Sequence, residues 1–268
     1  MILTKTSGFI AEAGFSHSLT PARNCTFGCT YCYVPTMRIY GGLKPEDWRR
    51  WGQFTTFKPN AAESLARELR PEQRIYCSPL VDPYQPPEAE EQLMPRILDA
   101  VIARPPRVFC LQTRGILILR DLSQLRRIPD LRVSFSITTD RDDVRKLYEP
   151  HCASIADRLA AVRALREAGI EVYATLAPLL PCDAENLARM AIEASGRTLI
   201  GDPLHIREVK PRGATTREAA FKVAQAQGHE AWLDAAFQTE MIGRIDREAR
   251  RAGLGFETGP RGFAKLAA

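Results

Sequence analysis

Three cysteines crowd into one short stretch, NCTFGCTYCYVP, where Cys25, Cys29 and Cys32 stand in a CxxxCxxC array. Thiolates at that spacing can wrap three irons of a 4Fe-4S cubane and leave the fourth iron without a protein ligand, open to a small molecule. A structural zinc ion is the competing occupant, but it wants four protein ligands, and no nearby CxxC or HxxxH pair supplies the fourth. The expected occupant of Cys25, Cys29 and Cys32 is therefore an iron–sulfur cluster. The chain holds seven cysteines in 268 residues. It shows no apolar signal core in MILTKTSGFIAEAGF and no run approaching the roughly 18 apolar residues of a membrane span. The expected location is the cytoplasm, with no membrane partner, where thiols stay reduced and read as metal-binding or reactive groups before they read as disulfides.

Short strand-like runs alternate with stretches of helical period, the pattern of βα units on a parallel sheet. The candidate strands are Ser16–Leu19, Arg74–Ser78, Val108–Thr113, Leu131–Thr138, Glu171–Ala177 and Leu204–Val209. Asn60 with Glu63 and Ser154 with Asp157 resemble capping boxes, Gly169 closes the helix that Ser154 opens, and Asp183 is expected to cap a helix running through Ser195. Ile155, Leu159, Val162 and Leu165 form that first helix's buried stripe. After the sixth strand the pattern is helical alone, from about Thr216 to Arg251 with a break at Gly228. Leu233, Phe237, Met241 and Ile245 make one apolar stripe there, so this tail should pack back on the domain. The expected organisation is an α/β unit over 1–212 with a C-terminal helical extension over 213–268.

Two strands carry information about a ligand. In RVSFSIT, Val133, Phe135 and Ile137 point one way and Ser134, Ser136 and Thr138 the other. EVYATLA repeats the arrangement, with Tyr173 and Thr175 opposite Val172, Ala174 and Leu176. Fully buried parallel strands are usually apolar on both faces, so the hydroxyl face implies either a lumen that holds a polar ligand or an edge strand with a wet face. The segment EDWRRWGQFTTFK, 46–58, interleaves Trp48, Trp51, Phe54 and Phe57 with Arg49, Arg50 and Lys58. Such a segment either grips exposed bases or folds over the cluster and buries its aromatics. Formal charge is +5, with 30 Arg against 7 Lys. Both signs are interspersed, which permits an anionic partner such as nucleic acid without demanding one.

The cysteine array with an aromatic residue, Tyr31, before its third member resembles the signature of the radical S-adenosylmethionine superfamily. The resemblance extends over most of residues 15–185 to the group that contains spore photoproduct lyase, through VDPYQPPE, LQTRGILILRD, SFSITT, YEPHCASIADRLAAVRALREAGI and LAPLLP taken in order. It implies a partial (β/α)6 barrel, a 4Fe-4S cluster on Cys25, Cys29 and Cys32, and S-adenosyl-L-methionine bound at the open iron. By position it implies that Tyr31 lies against the adenine, that Ser136 contacts the cofactor and that Arg114 replaces a Lys meeting its carboxylate. Arg is no automatic substitute, since its planar fork wants different partners. Ser78 and Asp82 are candidates for the cofactor's ammonium; Asp82 could equally cap the Pro-rich turn. Glu149 and Arg158 pair with one another, touch the cofactor, or are simply solvated helix charges.

The implied reaction is reductive cleavage of the cofactor to a 5′-deoxyadenosyl radical that takes a hydrogen atom from the substrate, with a one-electron donor such as flavodoxin or ferredoxin. The substrate is open between a photoproduct-like lesion in DNA, an RNA, a peptide and a small metabolite. A non-catalytic electron-transfer protein is the alternative, though it would normally carry four cysteine ligands and no polar lumen. Cys77 stands close to where photoproduct lyases carry a hydrogen-donating cysteine, with Pro79-Leu80 inserted, and is a candidate catalytic thiol; Cys182 is a second thiol of interest. Cys110 and Cys152 read as structural. Because Tyr76 and Ser78 share one strand face and Cys77 the other, Cys77 and Ser78 cannot both face a lumen unless the strand ends between them.

Overall fold

The computed structural model describes residues 1–37, 49–210 and 215–268. Trp48 of the aromatic segment and the expected boundary at 212/213 lie outside the described residues. The strands are β1 (Leu3–Lys5), β2 (His17–Leu19), β3 (Ala22–Arg23), β4 (Thr56–Phe57), β5 (Arg74–Cys77), β6 (Val108–Thr113), β7 (Leu131–Ser136), β8 (Glu171–Leu176), β9 (Leu199–Gly201) and β10 (Phe256–Thr258). Eight of them form one sheet in the order β1-β2-β5-β6-β7-β8-β9-β10, parallel except for the β1–β2 pair. Successive parallel strands β5 to β9 each return through a helix, Leu93–Ala103, Ile155–Glu167 and Ala184–Ser195 among them, as parallel pairing requires.

Register assigns each side chain to one of two faces. Cys77, Leu111, Val133 and Val172 lie side by side across β5 to β8. All four are fully buried in the core shared with the helices. On the other face run Tyr76 and Cys110, then Gln112, Ser134 and Tyr173, then Ser136, Thr175 and Ile200. β7 sits between β6 and β8, so its hydroxyl face is no wet sheet edge. Toward the floor of this face, Tyr76, Cys110, Tyr173 and Ile200 pack with Phe15, Phe263 and Leu266. Higher up, the Ser134 and Thr175 hydroxyls hydrogen-bond at 2.7 Å.

The helix ends show how local chemistry sets boundaries. Ser154 accepts from the Asp157 amide at 3.1 Å and Asp183 from the Asn186 amide at 2.8 Å, as expected of N-caps. Asn60 differs. Its φ of 53° puts it in the left-handed region with no side-chain cap, and only its carbonyl opens the helix, accepting from Ser64 at 3.0 Å.

Two expectations about strands change. The sixth parallel strand is Leu199–Gly201, not Leu204–Val209. Pro203 offers no amide to a ladder, and the following residues fold on themselves. The Ile206 amide bonds the Leu204 carbonyl and the Lys210 amide the Ile206 carbonyl, each at 2.9 Å. The buried Leu204 and Ile206 mimic strand alternation inside a turn. The tail is also not helical throughout: after the helices Glu218–Gln227 and Ala235–Arg251, β10 joins β9 in parallel, pairing Phe256 with Leu199.

Candidate functional site

At the C-terminal ends of the parallel strands lies a cavity of about 220 Å³, an order of magnitude more than the roughly 10–15 Å³ one water needs. Its lining brings together Cys25, Cys29, Tyr31, Cys32, Ser78, Asp82, Arg114 and Ser136. These residues are spread over more than 110 positions of sequence and converge because each lies in the cysteine loop, at the end of a strand or in the segment after one.

The cysteine loop is held from below by the VDPYQPPE segment. Gln85, fully buried, accepts from the Thr26 amide at 2.8 Å and donates to Thr55 Oγ1 at 3.1 Å. Asp82 takes the Tyr84 amide at 2.9 Å and the Thr113 hydroxyl at 2.7 Å on one oxygen, and the Arg114 amide at 2.7 Å on the other. Three of a carboxylate's about four acceptor positions are thus used by the protein. Burial pushes the Asp82 carboxyl up while these donors pull it down. Glu88 accepts two helix amides and pairs with Arg120 at 3.0 Å, and the Tyr84 hydroxyl donates to Asp121 at 3.0 Å. From above, residues 49–55 close on the same loop. A Cβ built on Gly52 would stand 2.8 Å from the Gly28 Cα, and Gly28 has a φ of 62°. Only two glycines permit that backbone contact. Trp51 is buried there, lining the cavity, while Arg50 covers the Phe54 ring at 4.7 Å.

The three thiols differ in their electrostatic surroundings. Burial pushes Cys25 well up and Cys32 up to about 12, although backbone amides of Phe27 and Asp82 point at Cys25 and that of Val34 at Cys32. Cys29 runs the other way. The neighbouring Cys152 thiol and Arg114, whose Nη1 lies 3.7 Å away, together hold it below the usual thiol range against burial. A cluster of iron ions among the thiols reverses the burial penalty, since ligation keeps thiolates deprotonated. Among the described residues, no three His, Cys, Asp or Glu side chains gather closely enough to hold one metal ion.

Tyr31, Arg114, Glu149 and Arg158 form one buried network. The Tyr31 hydroxyl and Arg114 both donate to Glu149 Oε1, and Arg158 donates to Oε2 at 2.5 Å. Glu149 and Arg158 are both fully buried. Burial alone would raise the Glu149 carboxyl, but Arg158 and Arg114 hold it down to about 2. Glu149 and Arg158 thus pair with each other. Arg114 also lies over the Tyr31 ring, 5.8 Å from its centroid.

The Ser78, Ser136 and Thr138 hydroxyls and the Trp51 indole nitrogen are buried and have no protein partner. Ser78, Ser136 and Trp51 line the cavity, so these groups are positioned to meet a polar ligand. Ser78 reaches it because β5 ends at Cys77. Cys77 does not. Its thiol lies on the helix face of the sheet, 0% exposed among Leu19, Tyr84, Met94 and their neighbours, and does not line the cavity. Cys77, expected as a catalytic thiol, thus lies behind the strand and apart from the described cavity lining. Cys182 packs against the same core, also outside the cavity wall.

The sequence reading missed Tyr33, Trp51 as a cavity residue, Asp202, His205 and Lys210, all of which line the cavity. The Trp51 signal lay in the aromatic segment; His205 fell inside the misplaced strand, and Asp202 and Lys210 flank it.

Comparison with known proteins accords with this geometry. An uncharacterized protein of Methanocaldococcus jannaschii is 28% identical over 157 residues, 59% of this chain and 58% of that protein. One of Mycobacterium bovis is 29% identical over 213 residues, 74% of this chain and 61% of its own length. The chain thus spans about three fifths of the curated relatives it matches. A cysteine mutant of spore photoproduct lyase superposes with a TM-score of 0.62 at 18% identity, covering 96% of this chain and 78% of the other. The lyase complexed with dinucleoside spore photoproduct gives 0.61 at 16%, with the same coverage, a likeness of fold. Residues 19–191, from β2 to the helix after β8, match the model of the radical SAM superfamily, and the chain belongs to that superfamily.

Proposed function

We propose that the cavity is the active site of a radical S-adenosylmethionine enzyme, with Cys25, Cys29 and Cys32 as ligands of its 4Fe-4S cluster. The superfamily uses that cluster and that cofactor. The observation that carries the assignment to these residues is the convergence of the three thiols with the unpartnered, buried Ser78 and Ser136 hydroxyls on one cavity. When bound, the reduced cluster supplies the electron that splits the cofactor into methionine and a 5′-deoxyadenosyl radical, which takes a hydrogen atom from the substrate.

The chain's own groups bind, orient and exclude. Ser136 and Ser78 offer hydroxyls to the cofactor's polar atoms, and Asp82 keeps about one acceptor position for its ammonium while fixing Arg114 through the backbone. Arg114 and Tyr31, locked by Glu149, form a rigid wall beside Cys29. Trp51 and the Gly28–Gly52 contact cover the cluster loop and keep water out. Residues 1–212 supply every described cavity-lining group except Thr216 and Phe263, and we assign 213–268 the role of completing the barrel's wall and floor.

A photoproduct-lyase reaction with a thiol hydrogen donor is the finer reading that the fold suggests. Against its thiol step, the described cavity-lining cysteines are the three proposed cluster ligands alone. We therefore favour hydrogen abstraction from a substrate seated at the mouth, fed by a flavodoxin- or ferredoxin-type donor in the reducing cytoplasm. Among the described residues no helix is long and apolar enough to cross a membrane. Anaerobic reconstitution with iron and sulfide, followed by S-adenosylmethionine and dithionite, tests the proposal. It predicts 5′-deoxyadenosine, and a filled cluster that yields none overturns it.

A further inference from the structure

The wall that follows β9 carries a chain of polar groups to which the proposed function gives no role. Asp202 is pinned by its backbone, donating to Leu176 at 3.1 Å and accepting from Leu179 at 2.9 Å. Its Oδ2 lies 2.6 Å from His205 Nε2, and His205 Nδ1 lies 3.2 Å from Lys210 Nζ. A carboxylate only accepts and an ammonium only donates, so the proton of a neutral imidazole sits on Nε2 and Nδ1 faces the amine. Lys210 Nζ also lies 5.5 Å from the centroid of the Tyr33 ring. All four residues line the cavity. The turn that replaces the expected strand, with its Lys210-to-Ile206 hydrogen bond, folds Lys210 back over this wall.

Ion pairing separates Lys210 from Arg114, the other Lys or Arg among the described cavity-lining residues. Arg114 makes a direct ion pair with the buried Glu149 carboxylate, which it shares with Arg158. Among the described residues, Lys210 makes no direct ion pair, and His205 takes only one of its three N–H donors. Burial pulls the ammonium down and Asp202 pushes it back; an anion against it would favour the charged form. A half-buried ammonium aimed into a cavity with donors to spare is a place for an oxyanion.

We infer that Lys210 anchors an anionic oxygen group of the substrate, a carboxylate or a phosphate, and that His205 and Asp202 are the positioning residues that aim it into the cavity. This rests on the cavity being the site of the radical reaction proposed above, and it adds the chemical class of what enters.

The test uses the reconstituted protein with its cluster and [15N]histidine labelling, which reports on only four histidines. Loss of one signal in His205→Ala assigns His205. Methyl phosphate and acetate are titrated separately, and the tighter of the two names the source of the oxyanion. The expected result is a saturable shift of the His205 ring signals that persists with S-adenosylmethionine bound. Lys210→Met should weaken it at least tenfold. Monitored by displacement of the anion, His205→Ala should lower affinity and His205→Asn, which restores an acceptor near Nδ1, should recover part of it. A bulk structural effect would show no such rescue. Equal affinity in wild type and Lys210→Met overturns the inference, as does displacement of the anion by S-adenosylmethionine, which would make Lys210 a cofactor ligand. Wild-type protein that makes 5′-deoxyadenosine while failing these titrations leaves the proposed reaction standing; protein that makes none overturns the reaction whatever the anion does.

Discussion

The cavity has two walls of different construction. One rises from β5, β6 and β7 and presents Ser78, Arg114 and Ser136 from regular strands or the first residues after them. The other follows the three-residue β9 and presents Asp202, His205 and Lys210 from a turn. On the first, neighbouring strands in register dictate where each side chain points, so position follows from backbone alone. On the second, position depends on side-chain bonds, Asp202 to His205 to Lys210, which hold only while each partner is present. A cofactor shared across a superfamily suits the first kind of wall, and a substrate particular to one enzyme suits the second.

The largest effect that could break this comparison belongs to the cysteine loop that lines the same cavity as both walls. Cys25→Ala, Cys29→Ala and Cys32→Ala should each lose the cubane outright, whereas Cys110→Ala and Cys152→Ala keep it. Iron and sulfide content with the visible spectrum decides. A full cluster in Cys29→Ala would remove the assignment.

Next comes the brace behind the strand wall. Glu149→Gln leaves Arg114 and Arg158 buried without their counter-charge and should cost about 3 kcal/mol or more in denaturant titrations. The Glu149 carboxyl, ordinarily near 4.5, is held down to about 2 in the fold. Its contribution is therefore complete above about pH 4.5 and is lost as the pH falls through about 2, amounting to roughly 3 kcal/mol. The stability gap between wild type and Glu149→Gln should shrink across that window. A gap constant with pH would mean that the charge is not what braces the wall.

Ser136→Ala sharpens the contrast between walls. Losing one hydrogen bond to a charged ligand should weaken S-adenosylmethionine binding by about 1.5–3 kcal/mol, with iron content unchanged, while leaving anion binding at Lys210 intact. Calorimetry of the reconstituted protein reads it, and unchanged affinity would show that the hydroxyl face serves another ligand. The smallest effect is Cys77→Ala. A core thiol reduced to a methyl should cost on the order of 1 kcal/mol of stability, with cluster and 5′-deoxyadenosine yield as in wild type. A collapse of that yield would return Cys77 to the active site.

How much of this was legible from the sequence follows the same division. Five of the six strands and the hydroxyl face of β7 could be read because alternation survives whenever a strand lies in register between neighbours. The cysteine spacing is local and needed no fold. Leu204–Val209 failed because Leu204 and Ile206 are buried at alternate positions for a reason unrelated to a ladder. β10 failed because three residues carry too little pattern. Ser78 and Cys77 were separable only by knowing where β5 stops. Gln85 was visible as part of a motif, but its bonds to Thr26 and Thr55 link positions far apart in the chain, and no local rule foresees them.

The meeting of Gly28 and Gly52 has a consequence for handling this protein in air. A contact between two bare backbones has no side chain that can swing aside, so oxygen approaching the proposed cluster from that direction would have to wait for the two loops to part. The seal then depends on loop opening as well as on the cover that Trp51 supplies. An added methyl at position 52 would stand 2.8 Å from the Gly28 Cα and wedge the loops open. Gly52→Ala protein should bleach faster than wild type on a bench open to the atmosphere, even while its anaerobic spectrum is the same.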